Sequence, residues 1–87
     1  MSKGNPIAAP AYAPKSGEIF KHYKGDLYKI VGMAINSGAS GDGADEWLVV
    51  YEPMYEQAAA PLFARPLVEW QQSVEQEGVQ VPRFSKV

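Results

Sequence analysis

The sequence predicts a mostly β fold of the α+β kind: a small curled, SH3-like, partly closed barrel of four to five strands with one short C-terminal helix. Glycine and proline clusters divide the chain into short segments rich in β-branched and aromatic residues. One segment near the C-terminus instead repeats apolar residues at helical spacing. Partial closure is expected because a small open sheet exposes its edges, and a sheet covered by the helix on one face is the alternative.

The chain has 87 residues, which is room for one domain, and 46% of them are hydrophobic, which is enough for one core. It contains no cysteine, which excludes disulfides, thiolate catalysis and metal sites built on sulfur. No apolar run reaches the roughly 20 residues that span a bilayer, and nothing near Met1 resembles a signal peptide. We therefore expect a cytoplasmic protein that binds no membrane and no cofactor.

The charges are unevenly distributed along the chain. Residues 15–29 hold four lysines and two carboxylates, whereas residues 42–77 hold eight carboxylates and one arginine. The net charge of −2 argues against nucleic acid as a partner, because phosphate neutralisation needs a basic face. Binding of nucleic acid through the lysines of residues 15–29 is kept as a minor alternative.

The first 14 residues read as a flexible Pro/Ala-rich tail. Three prolines remove backbone donors, and the alanine and serine residues of this segment bury little surface. The single domain is accordingly expected over residues 15–87.

The first ordered element is a predicted β-hairpin. Residues 18–23 alternate in character, Lys24-Gly25-Asp26 supplies a turn, and Leu27 to Ile35 is a longer β-branched and aromatic run. Gly32 within the second strand predicts a bulge or a sharp bend.

A glycine-rich loop and a central strand follow. Residues 36–45 contain three glycines, and no apolar residue in this segment is larger than alanine. We therefore interpret the segment as a mobile connector. The loop lacks the Gly-Lys-Ser/Thr ending of a phosphate-binding loop and the spacing of a calcium loop. Residues 46–54 return to β character with apolar side chains on both faces, which favours an interior position in the sheet.

The C-terminal third is predicted to hold a strand, a helix and an extended edge. Residues 62–65 form a short strand that Pro66 stops. Leu67, Trp70 and Val74 then recur at helical spacing, and Glu77-Gly78 is expected to end the helix. Residues 79–84 are expected to add a last extended segment, which Pro82 confines to an edge.

Five short segments together resemble a known family. They are Gly17 to Gly25, Tyr28 to Ile30, Leu48 to Tyr51, Ala64 to Pro66 and Pro82 to Phe84. In this order and spacing the chain, over residues 16–84, resembles the family catalogued as domain of unknown function 1653. Members of the family usually carry a short polar connection where this chain has the longer loop of residues 36–45. The resemblance implies a small bacterial β-rich domain, and it implies no reaction.

His22 is the single histidine and the first candidate site residue. An imidazole titrates near neutral pH and can act as an acid or a base when a partner lies within hydrogen-bond reach. The structural interpretation, which we favour, is a hairpin histidine hydrogen-bonded near Lys24.

Arg65 and Arg83 form the second candidate feature, since each lies beside a proline and near an aromatic residue. A guanidinium group offers a rigid fork of donors to a carboxylate or a phosphate. The structural alternative, which we favour, is that each arginine pairs with Glu52 or Glu69.

The aromatic residues are the third feature, and small barrels bind peptides in grooves that such rings line. Most of these rings are expected in the core. The candidate ligand-binding residues are His22, Tyr23, Lys24, Tyr28, Tyr51, Arg65 and Arg83. We predict no metal site and no catalytic set.

The sequence therefore favours a non-enzymatic binding or accessory module for a peptide or a small anionic ligand. The alternative is a small enzyme, or a subunit of one, that acts on an anionic substrate through His22 and an arginine. A homodimer formed by edge pairing of strands is also compatible with the sequence.

Overall fold

The computed structural model describes residues 9–36 and 47–87. In these ranges the elements are β1 Ile19–His22, β2 Leu27–Ile35, β3 Trp47–Pro53, β4 Phe63–Pro66, α1 Leu67–Trp70, β5 Ser73–Gln76, β6 Val79–Pro82 and β7 Phe84–Lys86. Five strands form an antiparallel sheet in the order β4-β3-β2-β1-β7, and β5 and β6 form a separate hairpin. The predicted mostly β fold with one short helix is confirmed. The main sheet is curled but is not closed into a barrel.

The β1–β2 hairpin forms where the sequence predicts it. Phe20 lies opposite Tyr28, and the Gly25 N–H donates a 2.7 Å hydrogen bond to the His22 carbonyl within the turn. Gly25 has a φ of 113°, a conformation that a side chain would strain. Further along β2 the register against β3 shifts between Ile30 and Gly32, so the predicted bulge is present.

Strand β3 occupies an interior position, with β2 on one side and β4 on the other. Its side chains at Trp47, Val49 and Tyr51 are buried, and the residues between them are half-buried on the opposite face. The predicted interior strand is therefore confirmed. The alternation of buried and half-buried side chains along β3 defines an inner face of the sheet, which holds the core, and an outer face.

The predicted helix is shorter than expected. It ends after Trp70, and Val74 lies in β5 opposite Val81. Glu77 and Gly78 do not end a helix, because they join the paired strands β5 and β6 as a two-residue hairpin turn. Both have the positive φ that such turns require, 52° and 80°. The strand prevails because an isolated short helix gains little from its few internal hydrogen bonds, whereas the hairpin pairs two whole strands.

The core lies between the inner face of the sheet and a cover formed by α1 and residues 9–14. Its buried apolar members are Ala13, Ile30, Trp47, Val49, Tyr51, Leu67, Trp70 and Phe84. Ala13 is only 5% exposed and Pro14 is buried, so the last residues of the segment predicted as a tail contribute to the core. Residues 1–8 of that tail, and residues 37–46, which include most of the predicted loop, lie outside the described ranges.

In the described part of the chain, α1 is a single turn, and no helix has the length and apolar character that a membrane crossing requires.

Candidate functional site

The ring of Phe84 is the centre of the candidate site. Trp70 stacks on it with ring centroids 3.7 Å apart, and His22 approaches it edge-on at 5.1 Å. The Cζ atom of Arg65 lies 5.7 Å from the centroid of the same ring. Two of the residues predicted from the sequence, one on β1 and one on β4, are therefore gathered around one side chain.

The sheet register and the backbone position these groups. His22 lies directly opposite Phe84 in the β1–β7 pair, and Arg65 lies opposite the buried Val49, which places it on the inner face. Arg83 is held by its backbone: its N–H donates to the Gln72 carbonyl at 3.1 Å, and its carbonyl accepts from the Tyr23 N–H at 3.0 Å. Residues far apart in sequence are thus fixed next to each other by main-chain hydrogen bonds.

The charges around His22 are predominantly positive. Burial lowers the pKa of the His22 imidazole below its ordinary value of 6.5, and the positive charges of Arg65, Lys24 and Arg83 lower it further. Asp26 opposes this effect and raises the pKa, but it is the smallest of these influences. Three cations therefore act on one partly buried imidazole, which defines an electropositive site.

His22 also has a local structural role, as the favoured interpretation predicted. Its Nδ1 atom accepts a hydrogen bond from the Lys24 N–H at 3.1 Å. In the neutral imidazole the proton therefore lies on Nε2, which is a donor. Because the lone pair on Nδ1 is already engaged, His22 has no free acceptor nitrogen with which to remove a proton from a substrate.

The arginines carry donors that the described residues do not satisfy. The Nε atoms of Arg65 and Arg83 are both buried, and neither has a hydrogen-bond partner in the described ranges. Arg65 pairs with Glu69 through Nη1 at 3.3 Å, so one half of the predicted pairing is present, but the two side chains are 29% and 50% exposed. A buried unpaired donor costs about 1–3 kcal/mol, and more when the group is charged. The fold thus carries two such donors, and the positive charges of both arginines act on His22.

Tyr23 and Lys24 extend the site along the hairpin turn. The Tyr23 ring packs against His22 with centroids 4.5 Å apart, and the Lys24 ammonium lies 5.8 Å from the Tyr23 centroid. Lys24 is exposed, so its charge lies at the solvent side of the group. The turn that the sequence identified therefore supplies one cation and one ring.

The two remaining candidates play supporting parts. The rings of Tyr28 and Phe84 lie edge to face with their centroids 6.1 Å apart. The Tyr28 hydroxyl is hydrogen-bonded to the Tyr55 hydroxyl at 3.2 Å. Burial and this hydrogen bond raise the Tyr28 pKa well above its usual range. Tyr51 is 5% exposed, so it supports Phe84 from within the core and offers no surface to a ligand. Tyr51 therefore lies in the interior, and Tyr28 is half-buried.

A recess of about 210 Å³ opens beside the stacked rings. It is lined by Tyr12, Pro14, Phe20, Trp70, Gln71, Pro82 and Phe84. None of these residues is charged, and the recess shares the rings of Trp70 and Phe84 with the candidate site. It resembles the ring-lined groove expected from the sequence.

The sequence analysis did not identify Phe84 as the residue at the centre of the candidate site. The signal available was an aromatic residue directly after Pro82-Arg83, but nothing in the sequence shows that β7 pairs with β1 rather than with the preceding strand. Among the described residues, no group of histidine and carboxylate side chains is arranged to hold a metal ion.

Comparisons with known proteins agree on one family. The family model described as "Protein of unknown function (DUF1653)" matches residues 18–86. The chain is also similar to a crystal structure of a DUF1653 protein from Bordetella bronchiseptica, with 34% sequence identity, 88% of each chain covered and a TM-score of 0.67. No curated protein matches the chain.

Proposed function

The chain belongs to the DUF1653 family, whose description states no activity, and from this premise we propose that it is a non-enzymatic binding module for a small anionic ligand. The ligand is held by the guanidinium groups of Arg65 and Arg83, with the Nε2–H of His22 as a further donor. Its chemical class is a carboxylate or a phosphate, since both offer oxygens at the spacing of the guanidinium fork.

The observation that carries this proposal is the pair of buried arginine Nε atoms without partners. Arginine is retained in protein interiors when its donors are paired, because an unpaired buried charge is costly. The Arg65 side chain is still 29% exposed, which leaves part of the guanidinium group accessible to a ligand. An anion that accepts from these groups removes the penalty and neutralises the local positive charge.

The alternative of a small enzyme acting through His22 has weaker support. A general base needs a free lone pair within reach of the proton that it removes. The Nδ1 lone pair of His22 is used by the Lys24 N–H, and the surrounding cations disfavour the protonated imidazole. These features suit His22 to donate a hydrogen bond to an anion, and they suit it less well to transfer protons.

A peptide is the second candidate ligand, and the recess beside Trp70 and Phe84 is the feature that favours it. An apolar side chain would pack against these rings and the flanking prolines, as in other aromatic peptide grooves. This mode needs no arginine, so the two candidates are distinguished by the residues that respond to a ligand.

The test is a titration with sulfate and with acetate, monitored by ¹H–¹⁵N NMR of the backbone amides and the arginine Nε–H groups. Saturable shifts at His22, Lys24, Arg65 and Arg83 are expected with at least one anion. Arg83→Met should abolish the shifts, whereas Lys21→Met, which removes the same charge from the opposite face of β1, should preserve them. Equal, non-saturating shifts at all lysines and arginines would reject a specific site.

A proline-rich peptide should be titrated in parallel. Shifts confined to the Trp70 indole and its neighbours, without any response from the arginine Nε–H groups, would favour the peptide over the anion.

A further inference from the structure

The outer face of the main sheet carries an apolar surface whose residues are half-buried or exposed and lie outside the core. The register places Gly32, Val50 and Ala64 side by side across β2, β3 and β4, and Ala34, Leu48 and Pro66 in the next row. None of these residues belongs to the core cluster, which lies on the other face. Val31, at the bulge beside them, is 43% exposed.

The shape of this outer-face patch suits contact with another sheet. Its middle consists of small residues, and a Cβ atom placed on Gly32 would meet nothing within 4 Å. Small side chains allow two sheets to approach to the roughly 10 Å at which face-to-face sheets pack. An apolar area of this kind on a small protein is a feature of association surfaces.

The charges next to the patch are self-complementary. Lys29 and Glu52 lie directly opposite each other on β2 and β3, one step beyond the bulge. Neither has an ion-pair partner within the ranges that the structure describes. A two-fold axis through the patch would place Lys29 of one copy against Glu52 of the other, twice, as an isologous contact requires.

The free strand edges are less suited to association. Strand β4 ends in a proline, and β7 has only three residues, of which one is Lys86. Prolines, lysines and short length are the devices that protect sheet edges from pairing. The homodimer by edge pairing that the sequence allowed is therefore replaced by a contact between faces.

We propose that the chain forms a homodimer by packing the outer faces of two sheets, with Val31, Leu48 and Val50 at the centre and reciprocal Lys29–Glu52 pairs at the side. The interface lies on the face opposite the arginine site, so it neither requires nor blocks the proposed anion binding.

The experiment measures the oligomeric state by sedimentation equilibrium over a wide concentration range. The full chain should sediment as a dimer. Val50→Lys should weaken the dimer at least about tenfold, because it buries an unpaired charge in the interface. Val79→Lys, at an exposed position of β6 away from the patch, should leave the dimer unchanged. Circular dichroism checks that both variants are folded.

Charge exchange gives a second test that is independent of folding. Lys29→Glu and Glu52→Lys should each give a monomer, because like charges then face each other twice. Mixing the two variants should restore a dimer, since in the heterodimer both contacts again join opposite charges. A monomeric wild-type chain, a Val50→Lys dimer of unchanged affinity, or a mixture that stays monomeric would each overturn the proposal.

Discussion

Trp70 and Phe84 stack within 5° of parallel with their ring centroids 3.7 Å apart, the shortest ring separation among the described residues. The contact joins the single helical turn to the edge strand β7. Both rings are buried, at 4% and 7% exposure. The position of Phe84 in turn determines where His22 and Arg65 meet.

Removing this stack should destabilise the protein severely. Phe84→Ala is expected to lower the free energy of unfolding by about 3–5 kcal/mol, the usual cost of truncating a buried aromatic residue. Urea denaturation monitored by circular dichroism measures the change. Val79→Ala, at a residue that is 59% exposed, serves as the control and should change stability by less than about 0.5 kcal/mol. A Phe84→Ala cost below about 1 kcal/mol would contradict the central role of this ring.

The turn between β5 and β6 should tolerate glycine but not alanine at position 78. Gly78 has a φ of 80°, so Gly78→Ala is expected to cost about 1 kcal/mol or more through backbone strain. Gly32→Ala is the matched control: its added Cβ meets no atom and its φ is not in the left-handed region. In dilute solution the control should be neutral or slightly stabilising in thermal unfolding. Equal effects at the two glycines would refute the assigned turn.

Stability should decrease as the pH falls below about 6.5. The folded state lowers the His22 pKa, so below the ordinary value of 6.5 the unfolded chain binds a proton that the folded chain resists. The stability present above that pH is lost progressively down to the lowered pKa. The difference in unfolding free energy between wild type and His22→Gln should show this dependence on pH. The contributions of the carboxylates to the pH dependence are common to both proteins and cancel in the difference. A difference that is flat with pH would exclude the electropositive environment.

Anion binding should raise the His22 pKa towards its ordinary value, because a bound negative charge offsets the nearby cations. An NMR titration of the imidazole with sulfate, whose charge is constant in this range, measures the shift against sodium chloride of equal ionic strength. In Arg83→Met the pKa should already be higher without sulfate and should respond less to it. A pKa that does not respond to sulfate in the wild type would count against the site.

Replacing Arg83 should separate binding from stability. Its Nε is buried without a partner, so Arg83→Met is expected to leave the unfolding free energy unchanged or to raise it by about 1 kcal/mol, while abolishing the anion response. Chemical denaturation and the NMR titration give the two readouts. A loss of stability above about 1 kcal/mol would identify Arg83 as a structural residue instead.

Much of the β1–β3 region could be predicted because its signals are local. The turn at Gly25, the bulge near Gly32 and the interior position of β3 follow from residue types within a few positions of each other. The helix was overestimated for the converse reason: the spacing of Leu67, Trp70 and Val74 fits a helix, and only the pairing of β5 with β6 shows that Val74 belongs to a strand. Long-range pairing overrode a local pattern.

By itself the sequence determined a mostly β fold, its first hairpin and the residue types able to bind an anion, because strand propensity, turn chemistry and side-chain chemistry reside in short stretches of chain. Only the tertiary structure decided that Ala13 belongs to the core, that β7 lies beside β1, and that the charges of Arg65 and Arg83 act on His22. These relations join residues more than 60 positions apart, and hydrogen-bond registers and packing, which no short stretch encodes, determine them.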